Sequence, residues 1–477
     1  MSNLEFNNYF DDESPDEMNK RIRKYRRAVQ NRSDSDNLPS PDIIEDLVNY
    51  CIDNEKFIEA HEFCTLWLEY YPTSTDAWVK KGISALNLSM FETALSSFER
   101  ALHYNPNDAE TLTYKADALE NLDELMLAED TINLALRIDP NNDEAFLVLG
   151  NILQKKGDYE EAIKVYNYLV NIDDFKRDVL QEIAFCYTII GDYKKSVEYY
   201  NLAIDEDPYD YELWFNVGVI YSQNEQFIKA IDSYDMVLAI QEDFYPAIVQ
   251  KADSFSAIGK LSEAITWYET ALKYMPKDKE VMQQLAGAYA DNEEYGKSIK
   301  LFTKIIAKHP YSYQAYFGRG ICLDALEQFE DAILDFKRAL EFNNNVVELW
   351  YAKGDTHYNL SQRFDAADAY KKVIELDPFN FECMEDLGRL YIELDKLSYA
   401  EEVLLECASL SPKHAMAYYL IGKLKAFQNK LEESAKYISD SLKLDSSIVD
   451  TFKEDKLDFI DNNVNLKKLT KLIEKQI

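Results

Sequence analysis

The sequence predicts an all-α protein, a solenoid built from one repeated helix–turn–helix unit. Three observations favour this class. A 34-residue frame fits end to end from Pro41 to Ile448 without an insertion, small residues recur at two columns of the frame, and prolines recur at a third. A fixed period of about 20–50 residues is typical of repeat arrays, in which each unit contacts its neighbours. We therefore expect one continuous array rather than the three or so separate domains that length alone suggests.

Small side chains occupy columns 8 and 20, counted from Pro41 as column 1. Column 8 holds Val48, Gly82, Ala116, Gly150, Ala184, Gly218, Ala252, Ala286, Gly320, Gly354, Gly388 and Gly422. Column 20 holds Ala60, Ala94, Ala128, Ala162, Ser196, Ala230, Ala264, Ser298, Ala332, Ala366, Ala400 and Ser434. Helices that touch backbone to backbone leave room for little more than a hydrogen or a methyl group at their crossing. The two columns therefore predict a close helix crossing in every repeat.

Aromatic residues and prolines support the same register. Column 4 carries Trp78, Phe146, Trp214, Tyr316, Trp350 and Tyr418, and column 24 carries Phe98, Tyr166, Tyr200, Tyr234, Tyr268, Phe302, Phe336 and Tyr370. This spacing predicts one apolar stripe on each helix, with these rings in the core. Eight of the 12 prolines fall in column 32, where they would end the second helix. Gly157, Gly191 and Gly259 fall in the turn between the two helices, where a left-handed residue is easiest for glycine.

The pattern W-x2-[LIK]-G-x2-Y, then A-x3-[FY]-x2-A, then P, resembles the tetratricopeptide repeat (TPR). The resemblance implies a right-handed superhelical α-solenoid of helix–turn–helix TPR units. It also predicts the domain organisation: an acidic and basic arm with an amphipathic helix in 1–40, twelve tandem repeats in 41–448, and capping helices in 449–477. Leu466, Leu469, Leu472 and Ile473 form the apolar stripe of the last of these helices.

The composition limits the classes of partner. The formal net charge is -36 and the pI about 4.5, which disfavours nucleic acid and anionic membrane surfaces and permits basic partners. The six cysteines form no C-x-x-C pair, and no long apolar run or signal peptide is present. We therefore expect a cytoplasmic protein with no membrane span. Column 2, acidic in nine of twelve repeats, is explained by the helix dipole at the start of each first helix.

The N-terminal arm carries a basic amphipathic helix that stands out in this acidic chain. Met18, Ile22, Tyr25 and Val29 share one face, and seven basic residues lie between Lys20 and Arg32. An arm for membranes or nucleic acid is one reading. We favour a second reading, in which the helix docks on the acidic repeats, in cis or in trans, because the charge of the repeats is opposite to that of the helix.

Candidate binding residues follow from the resemblance, which implies that columns 5, 9 and 12 of the first helix face a concave ligand groove. Those columns are unusually apolar in the middle of the chain, with Asn151, Asp253, Asp324 and Asp355 as polar neighbours in the same groove. The candidates are Leu147, Asn151, Phe185, Phe215, Val219, Val249, Asp253, Phe317, Ile321 and Tyr351. An exposed apolar strip in a groove is typical of a binding site, whereas tight curvature that lets neighbouring helices cover one another is the structural alternative.

Catalysis is not expected. The five histidines are scattered, and no G-x-G-x-x-G, P-loop, G-x-S-x-G or H-E-x-x-H motif occurs, so no cofactor or metal site is predicted. The sequence predicts a scaffold or adaptor that holds partner peptides or helices in the groove. One alternative is a regulatory or sensor protein that docks on an enzyme or transcription machinery and is gated by the N-terminal arm. A self-assembling structural solenoid is another.

Overall fold

The computed structural model describes residues 15–31 and 39–448, together with residues 451 and 471. The first fourteen residues of the predicted arm lie outside the described residues, as do nearly all of the predicted capping helices in 449–477. The chain divides into two compact units, Met1–Glu242 and Asp243–Ile477.

The described residues of the first unit form thirteen α-helices and no strand. They are α1 Pro15–Asn31, α2 Pro41–Asp53, α3 Phe57–Tyr70, α4 Thr75–Asn87, α5 Phe91–Tyr104, α6 Ala109–Asn121, α7 Leu125–Ile138, α8 Asp143–Lys156, α9 Tyr159–Leu169, α10 Asp173–Ile190, α11 Tyr193–Glu206, α12 Tyr211–Gln223 and α13 Phe227–Ile240. From α2 to α12, each helix packs on the next one along the chain, so that the sequential packing of this unit ends with the α12–α13 pair.

The second unit has twelve described helices with the same sequential packing. They are α14 Tyr245–Ala257, α15 Leu261–Tyr274, α16 Lys279–Asp291, α17 Tyr295–Lys308, α18 Tyr313–Ala325, α19 Phe329–Phe342, α20 Val347–Asn359, α21 Arg363–Leu376, α22 Phe381–Glu393, α23 Leu397–Leu410, α24 Ala415–Phe427 and α25 Leu431–Leu444. The all-α class of consecutive helix pairs predicted from the sequence is confirmed.

The small-residue columns lie where the paired helices meet. Every column-20 residue and every column-8 residue is buried. At Gly150 of α8, an added Cβ would lie 2.3 Å from Cε1 of Tyr166 in α9. Gly218 repeats this arrangement with Tyr234, at 2.5 Å. Because such distances leave no room for a side chain, the ring of column 24 fills the space that the column-8 glycine leaves open.

The turn inside each pair adopts one conformation throughout, with a left-handed residue at column 15. The predicted glycines Gly157, Gly191 and Gly259 have φ values of 85°, 88° and 75°. The other nine turns adopt φ between 54° and 62° with a residue other than glycine: Glu55, Ser89, Asp123, Glu225, Glu293, Glu327, Ser361, Asp395 and Asn429. The left-handed residue ends the first helix, and the chain then reverses into the second.

One junction departs from the regular frame. Helix α9 ends at Leu169 and α10 begins at Asp173, so that α10 is 18 residues long where most first helices have 13. Column 32 holds Asp174 here rather than proline, which permits an early start. Glu242 and Asn344 occupy the same column in other repeats, and α14 and α20 still begin at the regular position.

Helix α1 packs on α3 in the same chain. Met18 and Ile22 are buried among apolar side chains of α2 and α3, and the other two residues of the predicted apolar face pack against the same cluster. Arg26 donates to both oxygens of Glu62, at 2.7 and 3.2 Å, and to Glu59 at 2.8 Å. The predicted docking of the arm helix on the acidic repeats is therefore seen in cis, at the first helix pair.

Candidate protein-binding site

The first unit holds five of the predicted groove residues, all on first helices of the pairs. Leu147 and Asn151 lie on α8, Phe185 on α10, and Phe215 and Val219 on α12. Phe185 is 40% exposed, and the other four are partly buried.

Two of these residues already have partners within their own repeat. The ring of Phe215 lies 5.9 Å from that of Tyr234, and the hydroxyl of Tyr166 lies 2.8 Å from Oδ1 of Asn151. They therefore contribute to packing inside the helix pair as well as to its surface.

The second unit holds the other five candidates. Val249 and Asp253 lie on α14, Phe317 and Ile321 on α18, and Tyr351 on α20. The structure brings Phe317, Ile321 and Tyr351 together in one cavity of about 530 Å³, a volume typical of ligand sites. Val249 and Asp253 are not among the residues that line it.

The lining of the cavity combines apolar and acidic side chains. Its lining comes from the first helices of three consecutive repeats and from the turn before the last of them: Phe317, Ile321, Val347, Glu348, Tyr351, Ala352, Asp355, Asp377, Asn380 and Glu382. Four of these side chains are carboxylates, and no lysine, arginine or histidine belongs to the lining. The cavity therefore favours a cationic group beside an apolar one.

Phe317 and Tyr351, the aromatic wall of the cavity, pack against the column-24 rings of their own repeats. Phe317 lies 6.0 Å from Phe336, and Tyr351 lies 5.7 Å from Tyr370, between ring centroids. Ile321, in contrast, is 39% exposed. These ring contacts give the column-5 residues a role in packing that the sequence analysis did not foresee, and they fix the wall in place.

Hydrogen bonds orient two of the lining side chains, Asp355 and Tyr351. Asp355 accepts from the hydroxyl of Tyr370 at 2.6 Å, and the hydroxyl of Tyr351 donates to Asp386. Burial raises the pKa of Asp355 to about 6, against the lowering effect of the Tyr370 hydrogen bond, and the nearby Asp386 raises it further. Asp355 is thus mostly ionised at neutral pH and able to attract a cation.

Only three of the ten lining residues, Phe317, Ile321 and Tyr351, are among the candidates predicted from the sequence. Val347, Glu348 and Glu382 lie at columns 1 and 2, where acids were explained by the helix dipole alone, and Asp377 and Asn380 come from the turn between α21 and α22. The column-2 acids were a sequence signal for this lining, because a carboxylate in the first turn can complement the helix dipole and also line a binding surface.

The chemistry available elsewhere in the structure is limited. All six cysteines are buried free thiols, and burial raises the pKa of Cys51 and Cys186 to about 12. Such thiols are inert nucleophiles at neutral pH. Within residues 15–31 and 39–448, no group of three His, Cys, Asp or Glu side chains is placed to hold a metal ion. In the same part of the chain, no helix has the length and apolarity needed to cross a bilayer.

Comparison with known proteins identifies the repeat. Three family models described as "Tetratricopeptide repeat" match residues 79–143, 131–164, 178–210, 211–244, 249–312, 284–346 and 347–380. The chain belongs to the tetratricopeptide repeat family. The matches run through both units, in agreement with the helix pairs that the structure shows there.

The TPR relatives are distant. The chain is 24% identical to anaphase-promoting complex subunit 3 of Schizosaccharomyces pombe over 215 residues, which cover 45% of this chain and 32% of that protein. It is 29% identical to heat shock protein STI1 of Saccharomyces cerevisiae over 110 residues, which cover 23% of this chain and 19% of that protein. The chain therefore spans about a third or less of the length of these curated TPR relatives.

A crystal structure of a tetratricopeptide repeat protein from Parabacteroides merdae is similar over 52% of this chain and 98% of its own. The sequence identity is 23% and the TM-score 0.37.

Proposed function

We propose that this TPR chain is an intracellular, non-catalytic scaffold that binds segments of partner proteins on the first-helix surface of its repeats. One relative's name describes a subunit of a larger complex, which supports an assembly role for TPR arrays of this kind. The buried free thiols support a reducing compartment such as the cytoplasm.

The observation that carries the proposal is the cavity of α18, α20 and α22. It combines an aromatic and aliphatic wall at Phe317, Ile321 and Tyr351 with four carboxylates and no cation. A peptide or helix that carries an apolar side chain next to a lysine or arginine would bury the apolar side chain against this wall. Its basic side chain would pair with one of the carboxylates. We expect the remaining candidates, Phe185 among them, to extend the contact surface in the other repeats.

The charge of the whole chain supports the same partner chemistry. Its formal net charge of -36 would attract a basic segment from a distance and accelerate its association, and salt would weaken that effect. Within the cavity, Asp355 is partly buried, so its attraction is screened less than that of exposed acids.

The proposal is tested with Ile321→Arg. Ile321 lines the cavity and is 39% exposed, so an arginine there would fill the apolar side and repel a basic ligand without disturbing the core. Leu334→Arg is the matched control, because Leu334 is an aliphatic residue of the same unit that is 60% exposed on α19 and does not line the cavity.

The readout is fluorescence anisotropy of a labelled peptide in which lysines flank two leucines, followed by affinity capture and mass spectrometry with the same variants. We expect Ile321→Arg to weaken peptide binding by at least about tenfold, a loss of roughly 1.4 kcal/mol, and Leu334→Arg to leave it unchanged. Equal binding by the wild type and Ile321→Arg would exclude this cavity as the site.

Gating by the N-terminal arm is the second candidate function, in which the protein docks on an enzyme or transcription machinery under control of the arm. The ion pairs of Arg26 with Glu59 and Glu62 favour it, because they could be exchanged for those of a partner. Deleting residues 1–40 would also uncover the core of the first helix pair. Arg26→Glu is therefore the better test, and a change in peptide affinity with normal circular dichroism would support gating.

A further inference from the structure

The second unit has another cavity, of about 370 Å³, with the opposite charge. It is bounded by α15, α16 and α17, and it shares no residue with the acidic cavity. Its lining consists of Glu269, Leu272, Lys273, Leu285, Tyr289, Lys297, Lys300, Leu301 and Lys304. Four lysines and one glutamate thus surround three leucines and a tyrosine.

The floor of this lysine cavity is apolar and well packed. Leu285 and Tyr289 of α16 are both buried, and Leu272 and Leu301 approach from the second helices on either side. The hydroxyl of Tyr289 donates to Glu269, the one carboxylate in the lining. Burial, reinforced by that hydrogen bond, raises the pKa of Tyr289, which keeps the phenol protonated and the contact intact at neutral pH.

The rim of the lysine cavity is cationic and largely uncompensated. Lys297 pairs with Glu294 at 2.5 Å and lies 5.0 Å from the ring centroid of Tyr289. Lys273, Lys300 and Lys304 are exposed and form no ion pair with any residue that the structure describes.

Helix α17 as a whole is unusual for this chain. It carries four lysines and no acid, in a protein with 87 acidic and 51 basic residues. Three of those lysines, Lys297, Lys300 and Lys304, line the cavity. They follow one another at helical spacing, so that they share one face of the helix.

We propose that this cavity binds an acidic segment of a partner protein, one that places an apolar side chain on the leucine floor and carboxylates against the lysines. Charge complementarity selects the acidic partner, because three of the four lysines that line the cavity form no ion pair with any described residue. The apolar floor selects a peptide over a nucleic acid, whose phosphates would leave the leucines uncovered. The chain's overall negative charge would also repel a long polyanion beyond the rim.

The test uses a fluorescein-labelled peptide with two leucines among six glutamates and measures anisotropy with the full chain. In the double variant Lys300→Glu, Lys304→Glu we expect binding to weaken by at least about tenfold. The control Lys277→Glu, Lys308→Glu changes the net charge equally at two exposed positions outside the cavity, and we expect its affinity to match the wild type. Circular dichroism of both double variants checks that they retain the helical fold.

Three results would overturn the inference: no binding of the peptide at low salt, equal weakening by the two double variants, or equal affinity for an all-glutamate peptide or a single-stranded oligonucleotide. The last would indicate a general polyanion site in place of a peptide site. None of these depends on the Ile321→Arg experiment, because the two cavities are built from different residues and select opposite charges.

Discussion

Replacing Gly150 by alanine tests whether the small residues set the spacing of the paired helices. The new Cβ would lie 2.3 Å from Cε1 of Tyr166, and two more atoms of the ring would be within 2.7 Å. Tyr166 is fully buried, and its hydroxyl lies 2.8 Å from oxygens of Asn151 and Gln154. The ring is therefore held at both ends and cannot move aside without loss.

Two opposing effects determine how much Gly150→Ala changes the free energy of unfolding. Overpacking of a core costs about 1–3 kcal/mol, whereas alanine is better than glycine inside a helix by about 1 kcal/mol. Because the ring is immobilised, we expect the cost to lie near the upper end, with a net destabilisation of about 1–2 kcal/mol. Ala184 and Ala252 occupy the same column above Tyr200 and Tyr268, so a helix pair can be built with alanine there, which sets a limit to the loss.

Gly287→Ala is the matched control. Gly287 lies within α16, and no atom lies within 4 Å of the position its Cβ would take, so alanine should stabilise that helix by about 0.5–1 kcal/mol. Hydrogen exchange in urea, resolved for α8–α9 and for α16–α17, measures both effects where they arise, because repeat units open locally. If Gly150→Ala increased protection as Gly287→Ala does, the reasoning about close helix crossings would be refuted.

Three further predictions concern the arm, the turns and the acidic cavity. Arg26→Ala removes the ion pairs of α1 with Glu59 and Glu62 and should lower the protection of α1 from hydrogen exchange by about 1 kcal/mol; unchanged protection would show that these ion pairs do not stabilise the docked helix. Glu225→Gly replaces a non-glycine residue held at φ 56° and should raise the free energy of unfolding by about 0.5–1 kcal/mol, seen as a higher urea midpoint; a lower midpoint would contradict this. Because the pKa of Asp355 is about 6, its charge is present above that pH and lost below it, so affinity for the lysine and leucine peptide should fall between pH 7.5 and 5. Asp355→Asn should flatten that profile, and an equally steep profile in the variant would exclude Asp355 as the group responsible.

Most of the fold could be predicted from the sequence because its determinants are local and repeated. A glycine or alanine at every crossing and a proline in most junctions specify where helices meet and end. What the sequence did not show are features set by the chain path. The turn geometry imposes a left-handed conformation on residues such as Glu327 that rarely adopt it. Helix α10 starts early at Asp173, whereas α14 and α20 start in register although their junctions also lack the column-32 proline.

The candidate site was predictable only in part, for a related reason. Column positions identify residues on the same face of successive first helices, and Phe317, Ile321 and Tyr351 indeed meet in one cavity. Column positions cannot place turn residues, so Asp377 and Asn380 were missed. Nor could they show that Phe317 and Tyr351 pack on rings of their own repeats.

Hydrogen exchange of the full chain with and without the lysine and leucine peptide tests most directly whether the acidic cavity receives a basic, apolar segment. We predict slower exchange in α18, α20 and the start of α22, reduced by Ile321→Arg and by added salt. Protection that appears only in other helices, or none at saturating peptide, would contradict the proposed site.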